Sequence, residues 1–119
     1  ASGKLNLDKV FAVMDCGWYV NPDIVRAQIE GSIVMAYGAA ITHETHFMDG
    51  KAVETNFHQY KMPRINDIPE IEVHIIDNDE KAGGAGEPAL PPFAPALCNA
   101  IFDLTGKRIR KLPFNLDEV

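Results

Sequence analysis

The sequence predicts an α+β fold of two layers, in which two main helices cover a mixed or antiparallel sheet. Three observations carry that expectation. Short apolar or β-branched runs stand at Lys9–Met14 and Glu70–Ile76, and stretches of helical length begin near Ile24 and Ala94. An Asp49–Gly50 step sits between two short apolar segments and signals a hairpin. The order is strand, helix, hairpin, strand, helix. A chain of 119 residues fits one domain with a modest core.

Each element has a local cause. Lys9–Met14 (KVFAVM) reads as a buried strand broken by Asp15-Cys16-Gly17. Asn21-Pro22-Asp23 reads as a helix start: an N-cap, a proline in the first turn, and an acid at the positive end of the dipole. From Ile24 to about Ile41 the apolar positions spread over much of the circumference, interspersed with Gly31, Ala36, Gly38 and Ala39. A helix of that kind is packed on more than one side. Thr45–Phe47 and Ala52–Phe57 are the expected hairpin strands, and Met62-Pro63-Arg64 and Pro69 mark an irregular connection. Glu70–Ile76 alternates and is expected to be half-buried. A helix over Ala94–Leu104 should end at Gly106.

Composition narrows the function classes. Apolar residues make up 46% and charged residues 24%, which is globular rather than disordered. A net charge of −6 argues against a long contact with nucleic-acid phosphates. The one basic cluster, Lys107, Arg108, Arg110 and Lys111, is read as a solvated face or a subunit contact in preference to an anion site. No apolar run is long enough to span a membrane, and no signal peptide opens the chain, which leaves the compartment unreadable. Cys16 and Cys98 are far apart among apolar neighbours; two buried thiols are favoured, and a disulfide stays open.

Folding needs alone do not account for the segment from Ala82 to Pro95, with three glycines and four prolines in 14 residues. Glycines let a ligand approach the backbone, and prolines remove ordering entropy in advance. Glu87 stands between Gly86 and Pro88, and the proline biases it toward an extended conformation. One carboxylate on a stiff, glycine-edged stalk suits a catalytic base. The plainer alternative is a surface acid in a helix-entry turn. The histidines read as structural. His43 and His46 are spaced by three with no third ligand near, which disfavours zinc. His58 is read as a hydrogen-bonding residue of a turn, and His74 as lying on the polar side of its strand.

Gly83-Gly84-Ala85-Gly86-Glu87-Pro88, followed by Pro91-Pro92, Ala94-Pro95-Ala96 and Asn99-Ala100-Ile101, resembles the C-terminal active-site loop and helix of the xanthine oxidase/aldehyde oxidase-type molybdenum hydroxylases. The ending Thr105-Gly106-Lys107-Arg108-Ile109-Arg110-Lys111-Leu112-Pro113 resembles the isoquinoline 1-oxidoreductase-like branch. Asp15-Cys16-Gly17, Val20-Asn21-Pro22, Gln28-Ile29-Glu30-Gly31, Asn56-Phe57-His58-Gln59-Tyr60 and Ile68-Pro69-Glu70 match in the same order, so the similarity runs from about Val10 to Pro113.

The resemblance implies that residues 1–119 are the C-terminal part of a molybdopterin-binding domain within a longer subunit. It implies a molybdenum cofactor, with a cytosine dinucleotide among its forms, and iron–sulfur clusters on a separate subunit or domain. Glu87 would be the base that activates a molybdenum-bound hydroxyl in the hydroxylation of an N-heterocycle or aldehyde, with water as the oxygen source. Gln28 would hydrogen-bond the cofactor, and Ala85 and Gly86 would present backbone N–H groups to it. Gln28 shares an otherwise apolar helical face with Ile24, Gly31 and Met35, where a buried amide would need partners. On this reading the partners are the rest of the large subunit and an iron–sulfur subunit, and the isolated chain is inactive. The competing reading is a free-standing α+β module that binds an anion or a partner through the Gly83–Glu87 loop and has a polar exterior. The fragment reading expects apolar residues exposed on the Ile24–Ile41 helix.

Overall fold

The computed structural model describes residues 5–119. Its elements are β1 (Lys9–Met14), α1 (Pro22–Ile41), β2 (Phe47–Met48), β3 (Lys51–Ala52), β4 (Glu70–Ile75) and α2 (Leu90–Thr105). The expected order therefore holds, in an α+β arrangement whose strands form two separate pairs. β1 and β4 are parallel, in register from Lys9 opposite Glu70 to Met14 opposite Ile75. β2 and β3 form the antiparallel hairpin. Asp49 (φ 51°) and Gly50 (φ 74°) both take positive φ, as a two-residue hairpin turn requires.

Strand alternation divides the parallel pair into two faces. Met14 and Val73 are buried on the inner face. On the outer face the Lys9 ammonium lies 2.8 Å from Glu70 and 2.6 Å from Glu72, and His74 Nε2 lies 2.7 Å from Glu72 Oε1. His74 thus sits on the polar side, as its alternation predicts. Phe11 and Val13 also face outward, 67% and 68% exposed.

α1 begins where its capping residues place it. Asn21 Oδ1 accepts from the N–H of Asp23 (2.9 Å) and of Ile24 (3.3 Å), and Pro22 occupies the first turn. The helix buries Val25, Ile29, Ile33, Ala36, Tyr37 and Ala40, a stripe at three- and four-residue spacing. Phe93, Leu97 and Ile101 of α2 complete the same core, with Tyr37 and Phe93 edge to face at 6.3 Å between centroids. The Arg26 guanidinium donates to the Val73 carbonyl at 2.7 Å and ties α1 to β4.

The exposed apolar residues that the fragment reading expects on α1 are present, and two other expectations need correction. The sheet and α2 both meet the Ile29 stripe of α1. Ile24 and Met35 on the other side stay 64% and 60% exposed. The hairpin strands are shorter than Thr45–Phe47 and Ala52–Phe57, since no third strand extends their ladder and Asn56 starts a separate turn through Phe57 N–H and Gln59 N–H. α2 starts at Leu90 rather than Ala94, because Pro91 and Pro92 fall in its first turn, where the missing N–H groups cost nothing. The radius of gyration is 16.7 Å, against about 13.5 Å for a compact domain of this length.

Ile29 is 1% exposed at the junction of α1 with the rest of the core. Ile29→Ala should lower unfolding free energy by roughly 2–5 kcal/mol, read as a shift in the urea midpoint with unchanged slope.

Candidate functional site

Because β1 and β4 are parallel, their carboxyl ends share one edge, and the loops that follow both strands leave from it. Ligands of open α/β sheets favour that edge. The first loop is Asp15-Cys16-Gly17-Trp18; the second runs from Ile76 to the start of α2. Their backbones are joined directly: Trp18 N–H donates to Glu80 O (2.9 Å) and Gly83 N–H to Cys16 O (2.8 Å). Asp15 Oδ1 accepts from Asn78 Nδ2 (2.9 Å) and from Gly17 N–H (3.1 Å), while Asn78 Oδ1 accepts from Glu80 N–H (3.0 Å). Hydrogen bonds from the Asn78 amide and then from the Gly17 N–H hold the Asp15 carboxyl below its ordinary pKa.

Gly17 is where the two loops come closest. It has φ +65°, and a Cβ placed there would lie 2.3 Å from the Lys81 carbonyl oxygen. Both the conformation and the contact exclude a side chain.

The second loop then crosses α1. Ser32, on the buried stripe, donates from Oγ to the Gly86 carbonyl at 3.1 Å. A methyl group built on Gly86 would lie 3.8 Å from Nε2 of Gln28. Thus Gln28, Gly86 and Glu87, far apart in sequence, are neighbours. Glu87 is exposed, and its carbonyl accepts from Leu90 N–H at 3.0 Å, closing the turn into α2. Ala85 is half-buried against the core. Among the described residues nothing accepts from the N–H groups of Gly84, Ala85, Gly86 or Glu87.

Within this chain the Gln28 amide is exposed. Gln28 lies on the open side of α1 with Ile24, Gly31 and Met35, all exposed, because the sheet and α2 occupy the opposite stripe. The site therefore offers one side-chain amide, a run of unengaged backbone N–H groups beside residues without Cβ, and one carboxylate. That donor set fits a hydrogen-bonding, anionic cofactor that approaches the backbone closely.

Other singled-out residues lie elsewhere. His43 rests against Gly38 and stacks on Tyr60 at 5.4 Å, and its Nε2 is buried with no hydrogen-bond partner among the described residues. His46 Nδ1 lies 2.7 Å from Glu54 Oε1 in the hairpin. The turn after Thr55 is held by Asn56 and Gln59, not by His58: Gln59 and Tyr60 N–H donate to Asn56 O, and Thr55 N–H to Gln59 Oε1. Among the described residues no group of three or more His, Cys, Asp or Glu side chains is placed to hold a metal ion. Cys16 and Cys98 are free thiols, the first buried and the second half-buried, and burial raises the pKa of Cys98. The basic cluster lies past the opposite end of α2, where Arg108 stacks 3.3 Å over the Phe102 ring and donates to Asn99 Oδ1. The sequence reading missed Ser32 and the Asp15–Asn78 pair. Ser32 was detectable as the lone hydroxyl on an apolar stripe; Asp15 and Asn78 gave no pattern, since they belong to separate loops.

Residues 1–69 match the family model of the molybdopterin cofactor-binding domain. The chain belongs to that family. It is 34% identical over 113 residues to the isoquinoline 1-oxidoreductase subunit beta of Brevundimonas diminuta, covering 95% of this chain and 14% of that protein. The aldehyde oxidoreductase molybdenum-binding subunit PaoC of Escherichia coli K12 is 33% identical over 127 aligned positions, covering 100% of this chain and 17% of that one. The crystal structure of quinoline 2-oxidoreductase from Pseudomonas putida 86 superposes with a TM-score of 0.79 at 30% identity, over 94% of this chain and 15% of that chain. The chain therefore spans between about one seventh and one sixth of the length of the curated relatives it matches. The family model includes Gln28 and stops before the Gly83–Glu87 loop; the match over 95% of the chain necessarily includes that loop.

The Asp15 staple sets an acid limit for the loop. A carboxyl with a depressed folded pKa adds stability that is present above its unfolded value, about 3.9, and is lost as pH falls through the folded value. Amide exchange at Trp18, Glu80 and Gly83, corrected for intrinsic rates, should stay constant from pH 7 to about pH 5 and accelerate below about pH 4. In Asp15→Asn that acid step should disappear.

Proposed function

We propose that this chain supplies the base and part of the cofactor cradle of a molybdenum hydroxylase acting on an N-heterocycle or an aldehyde. The observation that carries the proposal is the juxtaposition of Gln28 with the Gly86–Glu87 turn at the carboxyl edge of the parallel strands. The names of the similar proteins support the substrate classes: isoquinoline and quinoline are N-heterocycles, and the third acts on aldehydes.

Gln28 and the N–H groups of Ala85 and Gly86 hold a molybdopterin cofactor, in a form that includes the cytosine dinucleotide. When bound, that group supplies a water-derived oxygen nucleophile and a two-electron acceptor. Glu87 would serve as the base, accepting a proton at its exposed carboxylate. A carboxylate carried on a turn that is fixed beforehand suits that role. Iron–sulfur clusters on a separate subunit or domain carry the electrons away, and the remainder of the large subunit completes the cradle. By itself the chain is inactive, since one base and one amide do not make a cofactor cage. A free-standing module with a polar exterior fits poorly with Trp18, Val20 and Phe57 exposed at 60%, 83% and 89%.

Two variants of the complete enzyme test the two roles. Gln28→Leu conserves volume on an exposed helix face, so the fold should persist while molybdenum and pterin content drop. Wild-type loading would return Gln28 to a surface role. Glu87→Gln keeps size and shape but accepts no proton at neutral pH. Metal reduction by substrate should slow by about 10²–10⁴-fold with cofactor content and reoxidation rate unchanged. Stopped-flow measurement of each half-reaction separates these outcomes, and near wild-type reduction in a fully loaded variant removes Glu87 from the mechanism.

A further inference from the structure

We infer that Ser32 is a positioning residue for the Glu87 carboxylate, an inference that rests on the reading of Glu87 as the base. The direction in which Glu87 leaves the backbone is set by the two peptide planes on either side of its Cα. Both planes are held. The carbonyl of the following peptide accepts from Leu90 N–H at 3.0 Å, a bond internal to the turn that starts α2. The carbonyl of the preceding peptide, that of Gly86, accepts from Ser32 Oγ at 3.1 Å. Gly86 has no side chain that packs the chain in place, and the N–H groups of Gly84 to Glu87 take no partner among the described residues. The Ser32 hydroxyl is thus the anchor that fixes the first plane. Ser32 is 8% exposed and lies between Ile29, Ile33 and Ala36 on the packed stripe of α1, and its bond to Gly86 is part-buried. A serine at that position otherwise has no packing advantage over alanine in a helix interior.

The experiment uses the complete enzyme with Ser32→Ala, Ser32→Thr, Glu87→Gln and the Ser32→Ala/Glu87→Gln double variant. Ser32→Ala should retain molybdenum content and keep α1 protected from amide exchange, while exchange of the Leu90 amide, the hydrogen-bonded N–H of the turn that carries Glu87, accelerates by roughly tenfold, the scale of one lost hydrogen bond. Metal reduction by substrate should slow by about the same factor, and Ser32→Thr, which keeps the hydroxyl, should recover most of the rate. In the Glu87→Gln background Ser32→Ala should cause no further slowing, because the group it positions is gone. If Ser32→Ala is as slow relative to its parent in that background as in wild type, Ser32 does not act through Glu87 and the inference fails. It fails equally if Ser32→Ala reduces at wild-type rate while Glu87→Gln is slow, a result that leaves the base assignment standing. A fast Glu87→Gln overturns the base assignment and this inference with it.

Discussion

Two strand-exit loops meet backbone to backbone at Gly17, and the rest of the site depends on that meeting. The Lys81 carbonyl occupies the space a Cβ would need, and paired bonds through Trp18–Glu80 and Gly83–Cys16 flank the contact. Nothing about the second loop's own composition would hold it there, since a run of small residues and glycines has little apolar area to bury. Its order is borrowed from the first loop and from α1. The glycines at 83, 84 and 86 are therefore free to leave N–H groups unengaged without the segment becoming shapeless.

The packing energy sits on one side of the chain. Ile29, Ile33, Tyr37, Val73, Phe93 and Leu97 form a core that α1 shares with β4 and α2. The opposite face of α1, the outer edge of β1 and the Trp18–Val20 stretch present apolar side chains outward. That division, and the extended overall shape, accord with a chain that spans a small share of its relatives' length. The open face of α1 is also the one that carries Gln28. Polar and apolar groups are exposed together there because the sheet and α2 occupy the opposite stripe.

Much of the architecture was legible from local chemistry. Asn21-Pro22-Asp23 marked the start of α1 because capping is decided within a few residues, and Asp49–Gly50 marked the hairpin for the same reason. The strand boundaries at Lys9, Met14 and Glu70 followed from apolar runs and alternation. What failed was whatever depends on which side of an element the neighbours occupy. The apolar circumference of α1 suggested packing on more than one side, but periodicity does not reveal which of its faces the strands and α2 cover. Ser32 and the Asp15–Asn78 bond were missed because each joins segments distant in sequence. Glu87 could be nominated from its glycine and proline neighbours, yet its proximity to Gln28 emerged only with the fold.

Ser32 and Gln28 stand four residues apart on one helix, about 6 Å along its axis. One grips the loop that carries the carboxylate; the other offers the amide beside it. Both are therefore mounted on the same rigid rod. The Ser32 bond opposes any slide or tilt of α1 that would change the distance between the Gly86–Glu87 turn and the Gln28 amide. A short span of helix thus works as a gauge block for that spacing.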